Sequence, residues 1–344
     1  MIPFLHLGPL TIPTFGLMVA CAMLAAFFML RADLTRRGLT APSDKSPRKP
    51  PAKVPTKNAA KDSRDSTSRL TQKGVAQGSE TQSQPSQHSA NAEAEMLIAV
   101  PCLAGIVGAK LYHVLETPAI FFAHPIQELF SPYGFAWFGG LLAGFAAFVW
   151  VGRRQKIPLL TLLDAGSPAA ALGYGIGRIG CFLSGDGDYG IPTSLPWGMS
   201  FPDGLVPTAQ RVHPTPIYEL IVACAIAWVL WRMGHLQILR GAFERVLPAA
   251  KAAAGTVRVP ISDRTFYRAS PEGVTVFSAW LWPGSVFAAY LMLTGAARFL
   301  VEFIRINPRS FLGMSNAQAA GLACVIAGAI LRLWLAKKDV NTPA

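Results

Sequence analysis

Seven apolar stretches separated by polar connections constrain this chain before any motif is read. They run roughly Ile12–Leu30, Met96–Leu115, Phe135–Val151, Ile157–Ile176, Pro216–Trp231, Val276–Thr294 and Ala317–Leu335. About 20 helical residues cross the hydrocarbon core of a bilayer, where every backbone amide must be satisfied within its own helix or a closed barrel. Composition agrees, with 51% of residues hydrophobic and 15% charged, against roughly 25% charged in soluble domains. The expected fold class is all-α, a polytopic membrane protein with about seven transmembrane helices. A soluble enzyme is the weakest reading, because it could not accommodate so many apolar runs.

Lysine and arginine set the orientation of such a bundle. RADLTRRG follows the first run, GRRQK the third, WRMGHLQILR the fifth and AKK the last. With seven spans all four fall on one side, placing the N-terminus outside the cell and the C-terminus in the cytoplasm. The formal charge of +12 is therefore read as orientation and attraction to anionic membrane lipids. A nucleic-acid partner is not expected, since the basic and aromatic interleaving of a nucleic-acid groove is absent from the sequence. MIPFLHLGPLTIPTFGLMV lacks the basic start of a cleavable leader, so the first run is expected to remain a span.

The first helix and its flank occupy 1–39. Residues 40–95 are rich in Pro, Ser, Thr, Gln and Lys and lack aromatics, which predicts a disordered cytoplasmic insertion. Helices two to five fill 96–233 with an extracytoplasmic loop at 177–214. A second cytoplasmic loop, 234–272, has room for a short helix, and the last two helices with a tail take 273–344. Four of the five cysteines lie in apolar runs, with no CxxC or Cys–His spacing, so neither zinc nor a disulfide framework is expected.

The chemistry-bearing residues gather at the predicted outer boundary. GRIGCFLSGDGDYG, 177–190, places Arg178 near the outer end of the fourth run. It reads either as a snorkelling arginine before an Asx-rich turn or as a planar donor fork for phosphate oxygens. Asp186 and Asp188 are too few for calcium and lack EF-hand spacing. Loop hydrogen bonds or an ion pair with arginine are expected of them, and no metal. In TGAARFLVEFIR, 294–305, Arg298, Glu302 and Arg305 stand four and three apart, a spacing that predicts one shared helix face. Charges at this depth need partners or a wet cavity. An interfacial salt bridge is the plain reading; Arg178 and Arg298 together on one side point to an anionic headgroup.

RVHPTPIYEL, 211–220, adds His213, Tyr218 and Glu219. Imidazole suits general-base work near neutral pH, although Pro214 and Pro216 equally fit a rigid helix entrance with His213 as a structural cap. Tyr218 has the amphipathic character of an interface residue, and Glu219 is expected to hold a partner such as arginine. Asp164, inside the fourth run, is read as a helix cap or cross-link, or as part of a conduction path. In YGFAWFGGLLAG, 133–144, Phe138, Gly139 and Gly140 either line a lipid entrance or let helices pack closely.

This ordered set resembles the bacterial prolipoprotein diacylglyceryl transferase family. GRIGCFLSGDGDYG is similar to the family signature GRxGNFxNGExxG, VHPTPIYE to HPxxxYE and RFLVEFIR to RFxxEFxR, and the third run resembles a further family segment through Phe138, Gly139 and Gly140. Cys181 and Ser184 stand at the signature's asparagines and Asp186 at its glutamate. Phe138 stands where a histidine is common, and Phe15 where a tyrosine is common. The resemblance implies a multi-pass protein of the bacterial inner membrane that transfers the diacylglyceryl group of phosphatidylglycerol to the lipobox cysteine of a prolipoprotein, without a cofactor. It implies Arg178, Arg298, Glu302 and His213 as catalytic candidates, and Arg178, Asp186, Phe138, Gly139, Gly140, Tyr218, Glu219 and Arg305 as substrate-binding ones. A transporter or channel, or a lipid- or lipoprotein-binding paralogue without catalysis, are the rival readings.

Overall fold

The computed structural model describes residues 2–8, 10–39, 87–131, 136–252, 257–262, 265–269, 281–309 and 313–340. Residues 40–86 of the expected insertion, Phe135, and 276–280 at the start of the sixth expected run lie outside these. The chain opens with a hairpin, β1 (Phe4–Leu7) and β2 (Leu10–Pro13), in which Leu5 faces Ile12. Then come α1 (Thr14–Arg36), α2 (Gln87–Glu116), the short α3 (Pro118–Ala123) and α4 (Pro125–Phe130), α5 (Trp137–Arg154) and α6 (Leu159–Ser184). A second hairpin, β3 (Met199–Phe201) and β4 (Thr208–Val212), leads into α7 (Thr215–Ala252). After β5 (Val257–Ser262) and β6 (Thr265–Ala269), α8 (Ser285–Val301) and α9 (Asn316–Val340) complete the order.

All seven apolar runs carry a helix, with corrected bounds. Ile12 belongs to β2 rather than to α1, because the two proline-flanked segments pair as a hairpin before the helix starts. Buried Thr14 fixes that start by donating to the carbonyls of Ile2 (2.7 Å) and Pro3 (2.9 Å). Helix α2 begins at Gln87, inside the segment expected to be disordered to residue 95; its alanines and glutamates are good helix formers. Helix α6 continues eight residues into the expected outer loop and stops at Gly185, whose φ of 58° closes it in the left-handed conformation. Helix α7 runs on to Ala252, across the expected loop boundary at 234, and the rest of that loop carries the β5–β6 hairpin.

Among the described residues, five helical segments are long and apolar enough to cross a membrane: Thr14–Arg36, Glu95–Glu116, Leu159–Ser184, Thr215–Gly241 and Asn316–Lys337. The shorter α8 has 17 residues, and the 18 of α5 end in Arg153 and Arg154. Their apolar side chains face outward as well as inward, with Leu103 and Leu333 each 65% exposed. That distribution suits a lipid solvent and would be costly in water. The chain is therefore an all-α, multi-pass membrane protein.

Helix α2 packs chiefly on α5, α1 on α6, α6 on α7, and α8 on α9. One buried cluster joins Leu30, Leu34, Leu97, Val151, Ile157 and Leu162; another joins Ala171, Ile226, Leu230 and Val286. At the end of the bundle formed by the C-terminus of α1, Asp33 pairs with Arg36 and Arg37, and Arg37 donates to Gln237 (2.8 Å). Gln237 in turn donates to Asp164 (2.8 Å), which accepts the backbone N–H groups of Gly284 (2.7 Å) and Phe287 (2.8 Å). Asp164 therefore caps α8 from a neighbouring helix, satisfying donors the helix itself leaves open.

Candidate active site

The opposite end of the bundle holds the arginines. Because α6 remains helical to Ser184, Tyr174, Arg178 and Cys181 lie on one face at spacings of four and three. Gly185 and Gly187 then turn the chain with φ of 58° and 90°. In that turn the Asp186 carboxylate accepts the Asp188 backbone N–H (3.2 Å), an Asx turn that aims Asp188 at two guanidinia. Asp188 pairs with both Arg178 and Arg305.

Close backbone approach brings Arg305 there. Gly190 and Arg305 form a β-bridge, and the Ile191 N–H donates to the Ile304 carbonyl (2.8 Å). A Cβ on Gly190 would lie 2.5 Å from that same carbonyl oxygen, so only glycine permits the contact. The expected single helix over Arg298, Glu302 and Arg305 is corrected here. Helix α8 ends at Val301, Glu302 is its C-cap and Arg305 follows a turn. The three side chains still converge, with Glu302 3.0 Å from Arg298 and 3.7 Å from Arg305.

Glu219, just past the first turn of α7, is the hub. Its Oε1 receives Arg298 (3.1 Å) and Arg305 (3.4 Å), and its Oε2 receives Arg178 and the Tyr174 hydroxyl (3.1 Å). Its side chain is 4% exposed and that of Glu302 1%. Asn307 donates to Glu302 (2.5 Å). Three arginines thus meet three carboxylates, Asp188, Glu219 and Glu302, from four separate segments of chain. Burial pushes the Asp188 carboxyl up, but Arg305 and Arg178 outweigh it and hold it below its ordinary value. Burial lowers Arg305, and Asp188 with Glu219 more than restores it, so its value rises. Asp186, lacking such partners at equal strength, is pushed up by burial.

His213 and Tyr218 stand beside the cluster. Tyr218 Oη lies 3.2 Å from His213 Nδ1 and accepts the Trp197 indole N–H at 2.8 Å. Arg211 holds the turn carrying Trp197 by donating to the carbonyls of Leu195 (3.3 Å), Pro196 (2.9 Å) and Gly198 (3.0 Å). Cys181, Asp186 and Asp188 present ligand atoms within 4.8 Å of one another. Arg178 Nη1 is 3.6 Å from the Cys181 sulfur and is paired to Asp188, so a guanidinium supplies the positive charge that a metal would bring.

Of the sequence candidates, Arg178, Arg298, Arg305, Glu219 and Glu302 are brought into one network, with Asp186, His213 and Tyr218 around it. Phe138, Gly139 and Gly140 sit elsewhere, on the α2–α5 pair. A Cβ on Gly140 would lie 3.2 Å from the Gly105 carbonyl, so the glycine pair serves close helix packing, while Phe138 is 62% exposed. Sequence reasoning missed Tyr174, Trp197, Thr215, which donates to the Asp188 carbonyl, and Asn307. Only Tyr174 had a signal, its position one turn before Arg178, and that signal vanished once the helix was expected to end at residue 176.

Comparison with known proteins finds relatives that cover most of the chain. A phosphatidylglycerol--prolipoprotein diacylglyceryl transferase of Geobacter sulfurreducens is 27% identical over 346 residues, 98% of this chain and 96% of its own. Proteins of the same name from Bordetella parapertussis and Gloeobacter violaceus are 30% identical over 258 residues and 28% over 242. These matches cover 71% and 69% of this chain, and 78% and 74% of theirs. The family model for prolipoprotein diacylglyceryl transferase matches residues 74–244 and 242–334, and the chain therefore belongs to the prolipoprotein diacylglyceryl transferase family.

Proposed function

We propose that this protein transfers the diacylglyceryl group of phosphatidylglycerol to the thiol of a lipobox cysteine in prolipoproteins, releasing glycerol 1-phosphate. The reaction takes place at the outer face of the bacterial inner membrane, on a seven-helix bundle with its N-terminus outside. The observation that carries this reading is the convergence of Arg178, Arg298 and Arg305 on Glu219 at one end of the bundle. Guanidinium is the side chain best shaped for phosphate, and three of them are held by partners that fix their orientation before a ligand arrives.

The substrate sulfur attacks the diacylglyceryl carbon that carries the phosphate oxygen. The C–S bond forms as the C–O bond breaks, and the bonding pair leaves on the phosphate oxygen. Phosphatidylglycerol carries one negative charge at its diester, and cleavage places a second on the departing monoester. Preoriented guanidinia stabilise charge that develops in this way. The same field favours the attacking sulfur as thiolate, since positive neighbours lower a thiol's pKa. In this reading His213 takes the thiol proton with Tyr218 between them, because the Tyr218 hydroxyl covers Nδ1. Asp186 holds the loop, and the exposed Phe138 on the α2–α5 pair offers apolar surface to acyl chains.

The test is reconstitution in phosphatidylglycerol vesicles with a lipobox peptide, followed by mass analysis. A diacylglyceryl increment on the cysteine that disappears when phosphatidylcholine replaces phosphatidylglycerol supports the reading. Arg178→Ala and Arg298→Ala should each lower transfer by about a hundredfold or more, the scale set by losing one preoriented donor, while folded protein stays in the membrane. Full transfer by either variant, or peptide binding without any mass increment, overturns it.

A further inference from the structure

The arginine cluster is electrically balanced before substrate arrives, and that balance poses a problem for phosphate binding. Each nitrogen of Arg178 already holds a partner: Nε on Glu219, Nη1 on Asp188 and Nη2 on the Tyr174 hydroxyl (2.9 Å). To present its Nε edge as a two-donor fork to a lipid phosphate it must leave Glu219. Loosening the bond to Glu219 would strip a donor from a carboxylate whose side chain is 4% exposed, and a buried acceptor left short of donors is strongly disfavoured.

Tyr174 is placed to remove that difficulty. Its hydroxyl donates to Glu219 Oε2 (3.1 Å), the same oxygen that Arg178 occupies, while its oxygen accepts from Arg178. The Arg178 Cζ lies 4.8 Å from the centre of the Tyr174 ring, within the range where an aromatic face attracts a cation. The ring therefore supports the guanidinium without tying it to a single hydrogen-bond partner. On the other side of the carboxylate, Oε1 accepts from Arg298 and Arg305.

We propose that Tyr174 is a positioning residue that holds Glu219 Oε2 while Arg178 turns from Glu219 to the substrate phosphate. The proposal rests on the phosphate reading of the site given above and extends it to a residue that touches no reacting atom. Tyr174 transfers no proton and forms no bond to substrate; its hydroxyl is the donor that stays on Oε2.

The experiment compares wild type and Tyr174→Phe in phosphatidylcholine nanodiscs, titrated with sn-glycerol 1-phosphate and followed by thermal unfolding and calorimetry. Kinetics with phosphatidylglycerol and a lipobox peptide complete it. Tyr174→Phe keeps the ring under Arg178 and deletes only the hydroxyl. Its Kd for glycerol 1-phosphate and its KM for phosphatidylglycerol should rise roughly ten- to a hundredfold, the value of one hydrogen bond to a charged group. Thermal stabilisation by the ligand should shrink correspondingly, with a smaller change in the unliganded midpoint. In a Glu219→Gln background, where no buried charge needs the extra donor, the penalty should fall to a few-fold.

Equal affinity in wild type and Tyr174→Phe overturns the proposal alone. An unliganded midpoint that drops as far as the liganded one shows a merely structural hydroxyl and overturns it too, as does an undiminished penalty in the Glu219→Gln background. Failure of the wild type to bind glycerol 1-phosphate removes the phosphate reading itself, and this proposal with it.

Discussion

Replacing Glu219 by alanine should be among the most damaging single changes at the end of the bundle that carries Arg178, Arg298 and Arg305. The carboxylate answers four donors, from Arg178, Tyr174, Arg298 and Arg305, at the distances given above. Without it, three guanidinia face only Asp188 and Glu302, an excess of one positive charge. Arg305, 6% exposed, has little water to turn to. Removing one partner of a buried ion pair costs about 3–5 kcal/mol, chiefly because the other charge remains buried. Glu219→Gln keeps acceptor capacity on one oxygen and should fall between alanine and wild type. The assay is reversible unfolding in mixed micelles, followed by circular dichroism, alongside transfer in phosphatidylglycerol vesicles. Glu219→Ala within about 0.5 kcal/mol of wild type, the range of an ordinary surface change, would refute the argument that this carboxylate is the buried hub.

Three further outcomes are expected. Because the folded-state value of Asp188 is depressed, its ionised form stabilises the fold fully above its unfolded value of about 3.9 and loses that effect as pH falls through the folded value. Asp188→Asn should therefore be less stable than wild type at neutral pH, the two curves converging in acid; a constant difference down to strong acid would contradict this. Gly190→Ala should destabilise by about 1–3 kcal/mol through overpacking against Ile304, and it should lower transfer as well, because Arg305 follows Ile304 and bridges to Gly190; unfolding midpoints and turnover check both. Asp164→Ala removes the cap on α8 contributed from α6 and should cost about 1–2 kcal/mol, measurable as faster amide exchange at Gly284 and Phe287.

The helices were legible because a bilayer leaves a chain few options. Long apolar runs must be helical where no water can satisfy the backbone, and every expected run carries one. Their ends were not legible, because hydropathy marks where lipid stops rather than where the helix stops. Helix α6 outlasts its oily stretch by two turns, until Gly185 supplies the left-handed cap. Helix α7 outlasts its own as far as Ala252. The N-terminal hairpin escaped notice for the converse reason: Phe4–Leu7 and Leu10–Pro13 are apolar enough to read as the approach to a span.

The site was legible as residue types and illegible as pairings. Arg298, Glu302 and Arg305 carry helical spacing, which correctly implied proximity and wrongly implied one continuous helix. A turn after Val301 gives the same convergence and also frees the Arg305 backbone to bridge Gly190, which a helix could not do. Asp186 and Asp188 are equivalent by sequence, two acids in a glycine-rich loop. Their difference arises only when that loop closes against residues 304 and 305. Asp186 then turns inward to its own backbone, and Asp188 is left between two arginines separated by more than a hundred residues of chain. A balanced cluster assembled across such distances is stable only when every segment is in place. Charges buried singly on one helix would be expelled to the interface or neutralised, so the ion pairs that hold the site together also make its geometry depend on the whole bundle.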